Sequence, residues 1–183
     1  MKLVPWVLGS EPETVPVTLG EVQVEELTEV SIDRFLAGGR AVQAELCKVP
    51  LDARLAVLNR LGDIWRARTI DGELREVRSE LLQATGYSEA NIDLEMSLVP
   101  QALDQESLAE NIDVSLPGGR GSTERFVPLG RAGEVRHLPA GPVLIIASGN
   151  SIVPAVIPTA LSLALGNCTI VKPSMANHRA LQQ

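Results

Sequence analysis

The sequence predicts an α/β protein in which an N-terminal hairpin and a series of helices lead into a βαβ unit. Three observations carry this prediction. Val143-Leu144-Ile145-Ile146-Ala147 and Cys168-Thr169-Ile170-Val171 are continuous apolar runs of strand length. Runs of that kind mark parallel strands buried on both faces. Between them, residues 152–165 form an apolar stretch of small and branched side chains followed by Gly166, a residue able to end a helix in the left-handed conformation. Upstream, apolar residues between 51 and 103 recur at helical spacing.

Taken in order, Met1 to Leu8 read as a strand, because the apolar run is short, holds Pro5 and soon meets Glu11 and Glu13. Val15–Leu19 and Val22–Val24 flank Gly20-Glu21 as a hairpin. Ser31-Ile32-Asp33 can cap a helix running toward Cys47, which Gly38-Gly39 would weaken. Pro50 and Asp52 open a stronger helix, with Leu51, Leu55, Leu58, Leu61 and Ile64 as one apolar stripe. Gly72 and Glu73 precede another helix with Leu74, Val77 and Leu81 on one face. Thr85-Gly86-Tyr87 breaks the pattern and Ser88 caps the next helix, whose inner stripe is Ile92, Met96, Val99 and Leu103, with Pro100 as kink or restart. Residues 115–123 read as a loop. Phe126–Leu129 and Val135–Leu138 read as two strands joined across Gly130 and Gly133. The organisation is a hairpin segment at 1–30, a helical segment at 31–114, and a strand pair with the βαβ unit at 124–183.

Composition narrows the function classes. The chain has 183 residues, 45% hydrophobic and 21% charged, as expected of a folded globular protein. A net charge of −7 argues against a nucleic-acid surface and against an anionic membrane. Aromatics at 3% supply no base-stacking platform. Cys47 and Cys168 lie far apart, match no metal spacing and read as reduced, buried thiols of a cytoplasmic protein. No formal charge lies between Arg136 and Lys172, a span long enough to cross a bilayer. Ser148–Ser151, Gly166-Asn167, Pro154 and Pro158 interrupt it, so no membrane span is expected.

Ligands of open parallel sheets sit beyond the carboxyl ends of the strands. Here those ends are Ala147-Ser148-Gly149-Asn150 and Lys172-Pro173-Ser174. Gly149 admits close approach of a ligand, Asn150 offers an amide donor, Lys172 a cation and Ser174 a hydroxyl. Each has a plainer reading: Asn150 as an N-cap or turn residue, Lys172 as a solvated strand-end charge. The glycine fingerprint of ordinary dinucleotide folds is absent from this turn. Gly118-Gly119-Arg120-Gly121 is glycine-rich but does not lie between a strand and a helix, and it lacks the P-loop lysine.

Residues 141–174, with Gly-Pro-Val-Leu-Ile-Ile-Ala-Ser-Gly-Asn, a helix, and Leu-Gly-Asn-Cys-Thr-Ile-Val-Lys-Pro-Ser, resemble the first βαβ unit of the aldehyde dehydrogenase superfamily. That Rossmann-like unit holds its nicotinamide cofactor without the glycine fingerprint. Gly86-Tyr87-Ser88-Glu89, Leu94-Glu95 and Arg136–Gly141 resemble, more narrowly, the fatty acyl-CoA reductases that supply aldehyde to bacterial luciferase. The resemblance is strong over 124–175, moderate over 81–100 and weak before that. It implies an incomplete aldehyde-dehydrogenase-like cofactor domain, with Asn150 holding the thioester or its oxyanion, and with Ala147, Ser148, Gly149, Lys172 and Ser174 lining the cofactor. Gly149 replaces the tryptophan of the common dehydrogenase turn, as the reductase branch would suggest. Met175 stands where NAD-preferring members carry a glutamate, which implies NADPH. A fatty acyl thioester is the implied substrate. Strands at 125–138 imply a homo-oligomer for the full enzyme. Neither cysteine fits the nucleophile, neither His137 nor His178 fits a base, and Gly121-Ser122-Thr123-Glu124 matches a later family motif only by coincidence. The chain is therefore expected to be a truncated portion, inactive alone. The rivals are a non-catalytic assembly or regulatory subunit descended from such an enzyme and a fragment of an ordinary aldehyde dehydrogenase.

Overall fold

The computed structural model describes residues 2, 3, 13–19, 22–131, 133–178 and 180–182. Strands β1 (Lys2–Leu3), β2 (Thr14–Leu19) and β3 (Val22–Leu27) form a sheet in the order β1-β3-β2. β2 and β3 are antiparallel from Thr14 opposite Leu27 to Leu19 opposite Val22, and β1 lies parallel to β3. The hairpin is thus present; its turn at Gly20-Glu21, and the expected strand beyond Leu3, lie outside the described residues.

Helix α1 (Glu29–Leu46) starts two residues before the expected cap. Thr28 takes that role, its side chain accepting from the Ser31 backbone N–H at 3.2 Å. The Ser31 hydroxyl instead donates to the Glu13 carbonyl at 2.8 Å and ties the helix to the sheet. Gly39 does not break α1. A Cβ there would stand 3.5 Å from Cys168 Sγ and from Pro142, so the bare backbone lets α1 lie close to the βαβ unit.

Helix α2 (Leu51–Ile70) buries Leu51, Leu55, Leu58, Gly62 and Trp65. This corrects the predicted stripe. Leu61 and Ile64 are 49% and 43% exposed. Steps of four and three residues from Leu51 follow the helical line through Gly62 to Trp65, and Leu61 and Ile64 each precede that line by one position, about 100° around the axis. At Gly62 a Cβ would stand 3.2 Å from the Pro100 carbonyl oxygen, so the bare backbone permits a close approach between α2 and the Pro100 segment.

Helices α3 (Arg75–Thr85) and α4 (Glu89–Ala102) are separated by Gly86, and Ser88 caps α4 by accepting from the Asn91 N–H. Pro100 lies within α4 without ending it. A proline leaves the carbonyl four residues back without its donor. That carbonyl belongs to Met96, and the buried Trp65 indole N–H donates to it at 3.0 Å. Helix α5 (Gln105–Ser115) is capped by Asp104, which accepts from the Ser107 N–H at 2.8 Å. The predicted loop at 115–123 is shorter than expected, because residues 121–124 form one helical turn, α6 (Gly121–Glu124). Its Ser122 is fully buried, and its carbonyl accepts from His137 N at 2.7 Å. The strand pair reduces to β4 (Val127–Pro128) and β5 (Glu134–Val135), antiparallel.

Strand β6 (Pro142–Ile146), helix α7 (Val153–Ala164) and strand β7 (Cys168–Lys172) form the predicted βαβ unit, with β6 and β7 parallel from Pro142 opposite Cys168 to Ile146 opposite Lys172. Helix α7 ends at Gly166, whose φ is +81°. Burial on both faces of β6 is not observed. Leu144 and Ile146 are 58% and 70% exposed. Thr169 bonds Ser162 of α7 through its hydroxyl, so it and its partner Val143 face α7. Leu144 and Ile146 face the other way, toward the side on which Gly39 of α1 lies close to Pro142 and Cys168 at the start of the strands. Two apolar clusters flank α7: one joins Trp65, Val77, Ile92, Met96 and Ile152, the other Leu55, Leu58, Ile112, Ala160 and Ala164. Among the described residues, no helix is long and apolar enough to cross a membrane.

Leu55→Ala should lower the unfolding free energy by about 3 kcal/mol in urea denaturation, the cost of a core cavity, whereas Leu61→Ala should change it by less than about 0.5 kcal/mol. Equal losses would contradict the observed stripe. Acid should also act locally. The Arg78 hydrogen bonds hold Asp93, and the Ser107 hydrogen bonds hold Asp104, below the ordinary carboxylate range. Their stabilisation is complete above the unfolded pKa of about 4 and is lost as pH falls through the lower folded values. Asp104→Asn should therefore flatten the acid limb of a stability–pH profile.

Candidate active site at the strand tips

Beyond Ile146 and Lys172 the two strands remain joined: Ala147 N donates to the Lys172 carbonyl at 3.0 Å. The turn Ser148–Ser151 then lies over the chain leaving β7. A Cβ built on Gly149 would stand 3.5 Å from Ser174 Cβ and Oγ, ordinary van der Waals contact, so the two tips meet there. The fold itself leaves room for a side chain at 149. Ala147, Ser148, Gly149, Lys172 and Ser174 are therefore brought together. Asn150 adjoins them on the exposed turn.

The side chains differ in their freedom. Asn150 is exposed, its amide has no protein partner among the described residues, and it does not cap α7. Lys172 is exposed and has no ion-pair partner among the described residues. Ser174 is engaged: its hydroxyl donates to Asn177 Oδ1 at 2.9 Å and accepts from Ala176 N. Met175, 45% exposed, follows Ser174 and carries a thioether, not a carboxylate, three positions after Lys172.

Two residues absent from the sequence-based candidates hold this arrangement. Asn177, only 1% exposed, uses its amide NH₂ to donate to the Ser148 carbonyl at 2.7 Å and the Ser151 carbonyl at 3.0 Å. Its Oδ1 accepts from Ser174 N at 3.1 Å and from the Ser174 hydroxyl. One side chain thus clamps the β6 tip to the β7 tip. Glu95 of α4 caps α7 from outside. Its Oε2 accepts from the Ser151 hydroxyl at 2.5 Å, from Ile152 N at 3.1 Å and from Val153 N at 3.5 Å. A carboxylate at a helix N-terminus answers both the unpaired N–H groups and the helix dipole. The Leu94-Glu95 pair stood out in the sequence by resemblance only; its partner 56 residues away left no local signal.

The cysteines and histidines do not join the tips. Cys168 opens β7, buried against α1, and its burial pushes the thiol pKa up, a setting that suppresses the nucleophilic thiolate. Cys47 follows α1, and its thiol lies 3.8 Å from the Gly166 carbonyl, at the starting end of the strands. His137 bonds the Pro117 carbonyl and His178 the Met175 carbonyl. Among the described residues, no group of three or more His, Cys, Asp or Glu could hold a metal ion.

The family model for acyl-CoA reductase (LuxC) matches residues 46–183. A search of the curated proteins returned no match. Among solved structures, an NAD-dependent benzaldehyde dehydrogenase from Corynebacterium glutamicum is 17% identical, with a TM-score of 0.64 over 94% of this chain and 36% of its own. A 3,6-anhydro-L-galactose dehydrogenase is 18% identical, with a TM-score of 0.66 over 99% of this chain and 38% of its own. Aldehyde dehydrogenase 21 from Physcomitrella patens is 18% identical, with a TM-score of 0.63 over 94% and 37%. At these identities the likeness concerns the fold: an aldehyde-dehydrogenase-like arrangement, of which this chain spans little more than a third.

Asn177→Ala should lower the unfolding free energy by about 2 kcal/mol, because the Ser148 and Ser151 carbonyls lose their donor. Asn177→Asp should cost more, since it sets a carboxylate oxygen against those two carbonyls. Urea denaturation of the three proteins checks the order; an Asp variant as stable as wild type would refute the clamp.

Proposed function

The chain belongs to the acyl-CoA reductase (LuxC) family, and from that premise we propose that it forms part of the cofactor cleft of an NADPH-dependent enzyme that reduces a fatty acyl thioester to an aldehyde. The observation that carries the reading is the junction of the two strand tips, with an ammonium group at Lys172 and an amide at Asn150 that are exposed and have no protein partner among the described residues. The residues present suit a nicotinamide dinucleotide: Gly149 brings no side chain, the Lys172 cation has no ion-pair partner among the described residues, and Met175 carries no carboxylate to repel a 2′-phosphate. When bound, the cofactor supplies hydride to the thioester carbon.

This chain's residues do the rest by position. Lys172 holds the ribose or its phosphate by charge. Ala147, Ser148 and Gly149 offer backbone at the tip. Asn150 aims an N–H toward the oxygen that becomes negative, a donor placed where charge develops. Ser174, already bonded to Asn177, shapes the cleft and offers its remaining acceptor capacity.

Acyl transfer from a thioester also needs a thiolate. Cys168 begins β7, four residues before Lys172, and lies about 13 Å along the strand from the tip. Cys47 lies at that same starting end. Neither reaches the cleft, so these 183 residues alone should bind cofactor and show no reduction of acyl-CoA. A cytoplasmic, homo-oligomeric full enzyme accompanies this reading.

Calorimetric titration with NADPH tests it. Lys172→Ala should weaken binding about tenfold or more, which corresponds to about 1.4 kcal/mol, and NADH should bind less tightly than NADPH. Unchanged affinity in Lys172→Ala, or equal affinity for both cofactors, would remove the proposed phosphate contact.

A further inference from the structure

A cavity of about 270 Å³ lies at the opposite end of the sheet from the strand tips. It opens where the corner between α1 and α2 meets the end of α7 and the chain approaching β6. Lys48, Arg54 and Arg136 line it, and Glu124 is the one acid among its lining residues. Glu124 is already engaged, its Oε1 accepting from the Leu51 N–H at 2.9 Å at the start of α2. Lys48 forms an exposed pair with Glu45, the kind of contact that solvent weakens. Arg136 is exposed and has no ion-pair partner among the described residues.

Arg54 is the decisive group. Its Nε and Nη1 are buried and have no hydrogen-bond acceptor among the described residues. The guanidinium is pressed against Gly166, where a Cβ would come within 2.6 Å of Nη1. The last carbonyls of α7 give a partial negative charge nearby, yet neither nitrogen bonds one. Burial lowers the Arg54 pKa, with Cys47 and Glu124 pulling the other way. Arg54 as a whole is half-buried, but buried N–H groups without an acceptor are costly, and such groups are usually answered by an ordered water or an ion. A second cavity of about 410 Å³ shares Cys47 and adds Arg40 to its wall. Lys48, Arg54 and Arg136 line the first cavity and Arg40 the second, with the exposed Cys47 in the wall common to both, in a chain whose net charge is −7.

We propose that the cavity beside Arg54 is a binding site for a phosphate-class dianion, held by Arg54 and Arg136 and distinct from the strand-tip cleft. The net positive lining supplies the charge match, and guanidinium groups are the preferred partners of phosphate oxygens. The site does not depend on the reductase reading, since it lies at the other end of the strands.

Inorganic phosphate is the probe, with chloride at matched ionic strength as the control. Calorimetry should show binding for phosphate and none for chloride. Cys47 lines the cavity and reports the location: phosphate at about nine times its Kd should slow N-ethylmaleimide labelling of Cys47 about tenfold, the factor 1 + [L]/Kd. Buried Cys168 provides the internal reference. Arg136→Ala, on the exposed rim, leaves the core intact and should weaken phosphate binding about tenfold. Equal slowing by chloride, binding without protection of Cys47, or undiminished affinity in Arg136→Ala would each overturn the site.

Discussion

The Asn177 amide joins the turn beyond β6 to the chain leaving β7, and the placement of every group beyond the two strands depends on it. The strand ladder ends at the bond from Ala147 to Lys172. Past that point the backbone has no regular partner, and buried carbonyls without donors are costly. Asn177 supplies two donors to one tip and an acceptor to the other. Glu95 secures the far side of the same turn by capping α7. With both in place, Asn150 and Lys172 can stay unpaired and exposed without loosening the backbone that carries them. A fixed backbone with free side chains is what a binding site requires, because the cost of ordering has been met before a ligand arrives.

The starting end of the βαβ unit uses the same device. Asn167, 7% exposed, accepts from Ala140 N at 2.7 Å and Gly141 N at 3.3 Å, and donates to the Ser162 carbonyl at 3.2 Å. It thereby ties the entry of β6 to the exit of α7. Trp65 does the equivalent inside α4, taking the carbonyl that Pro100 leaves without a donor. Glu124 closes the start of α2. In each case an irregular point of the backbone is satisfied by one side chain from a distant part of the chain. Removal of such a side chain exposes an unpaired group rather than only deleting a contact.

That pattern explains how far the sequence could be read. Signals written in neighbouring residues were legible. Ser88 caps α4, Gly86 and Gly166 end α3 and α7, the hairpin register follows its alternation, and the apolar runs become β6 and β7. At the site, Ala147, Ser148, Gly149, Lys172 and Ser174 converge as topology demands of a parallel pair. Long-range decisions were not legible. Thr28 displaces Ser31 as cap because the Ser31 hydroxyl is drawn to Glu13 in the sheet. Leu61 and Ile64 share the hydrophobicity of the buried stripe but stand one position off its line. Glu95 and Asn177 look like ordinary surface residues until the fold sets them against backbone that lacks partners. The apolar content of β6 suggested burial on both faces, whereas only one face is covered among the described residues, since α1 crosses the sheet at its starting end.

The two ends of the unit are thus chemically unlike. At the start of the strands, α1 lies close over Pro142 and Cys168, the thiol is desolvated, and its rise in pKa favours the protonated form. Burial there serves packing and makes Cys168 a poor nucleophile. At the far end, Ile146 and Lys172 are exposed among the described residues, and so is Asn150 on the adjoining turn. At the tips, Asn150 and Lys172 keep exposed polar groups without protein partners among the described residues, whereas at the strand starts Asn167 has already taken the Ala140 and Gly141 N–H groups. The same βαβ unit thus offers two kinds of surface: exposed side chains on a backbone held by Asn177 at one end, and at the other a backbone tied by Asn167 beside Arg54 nitrogens that no protein acceptor answers among the described residues.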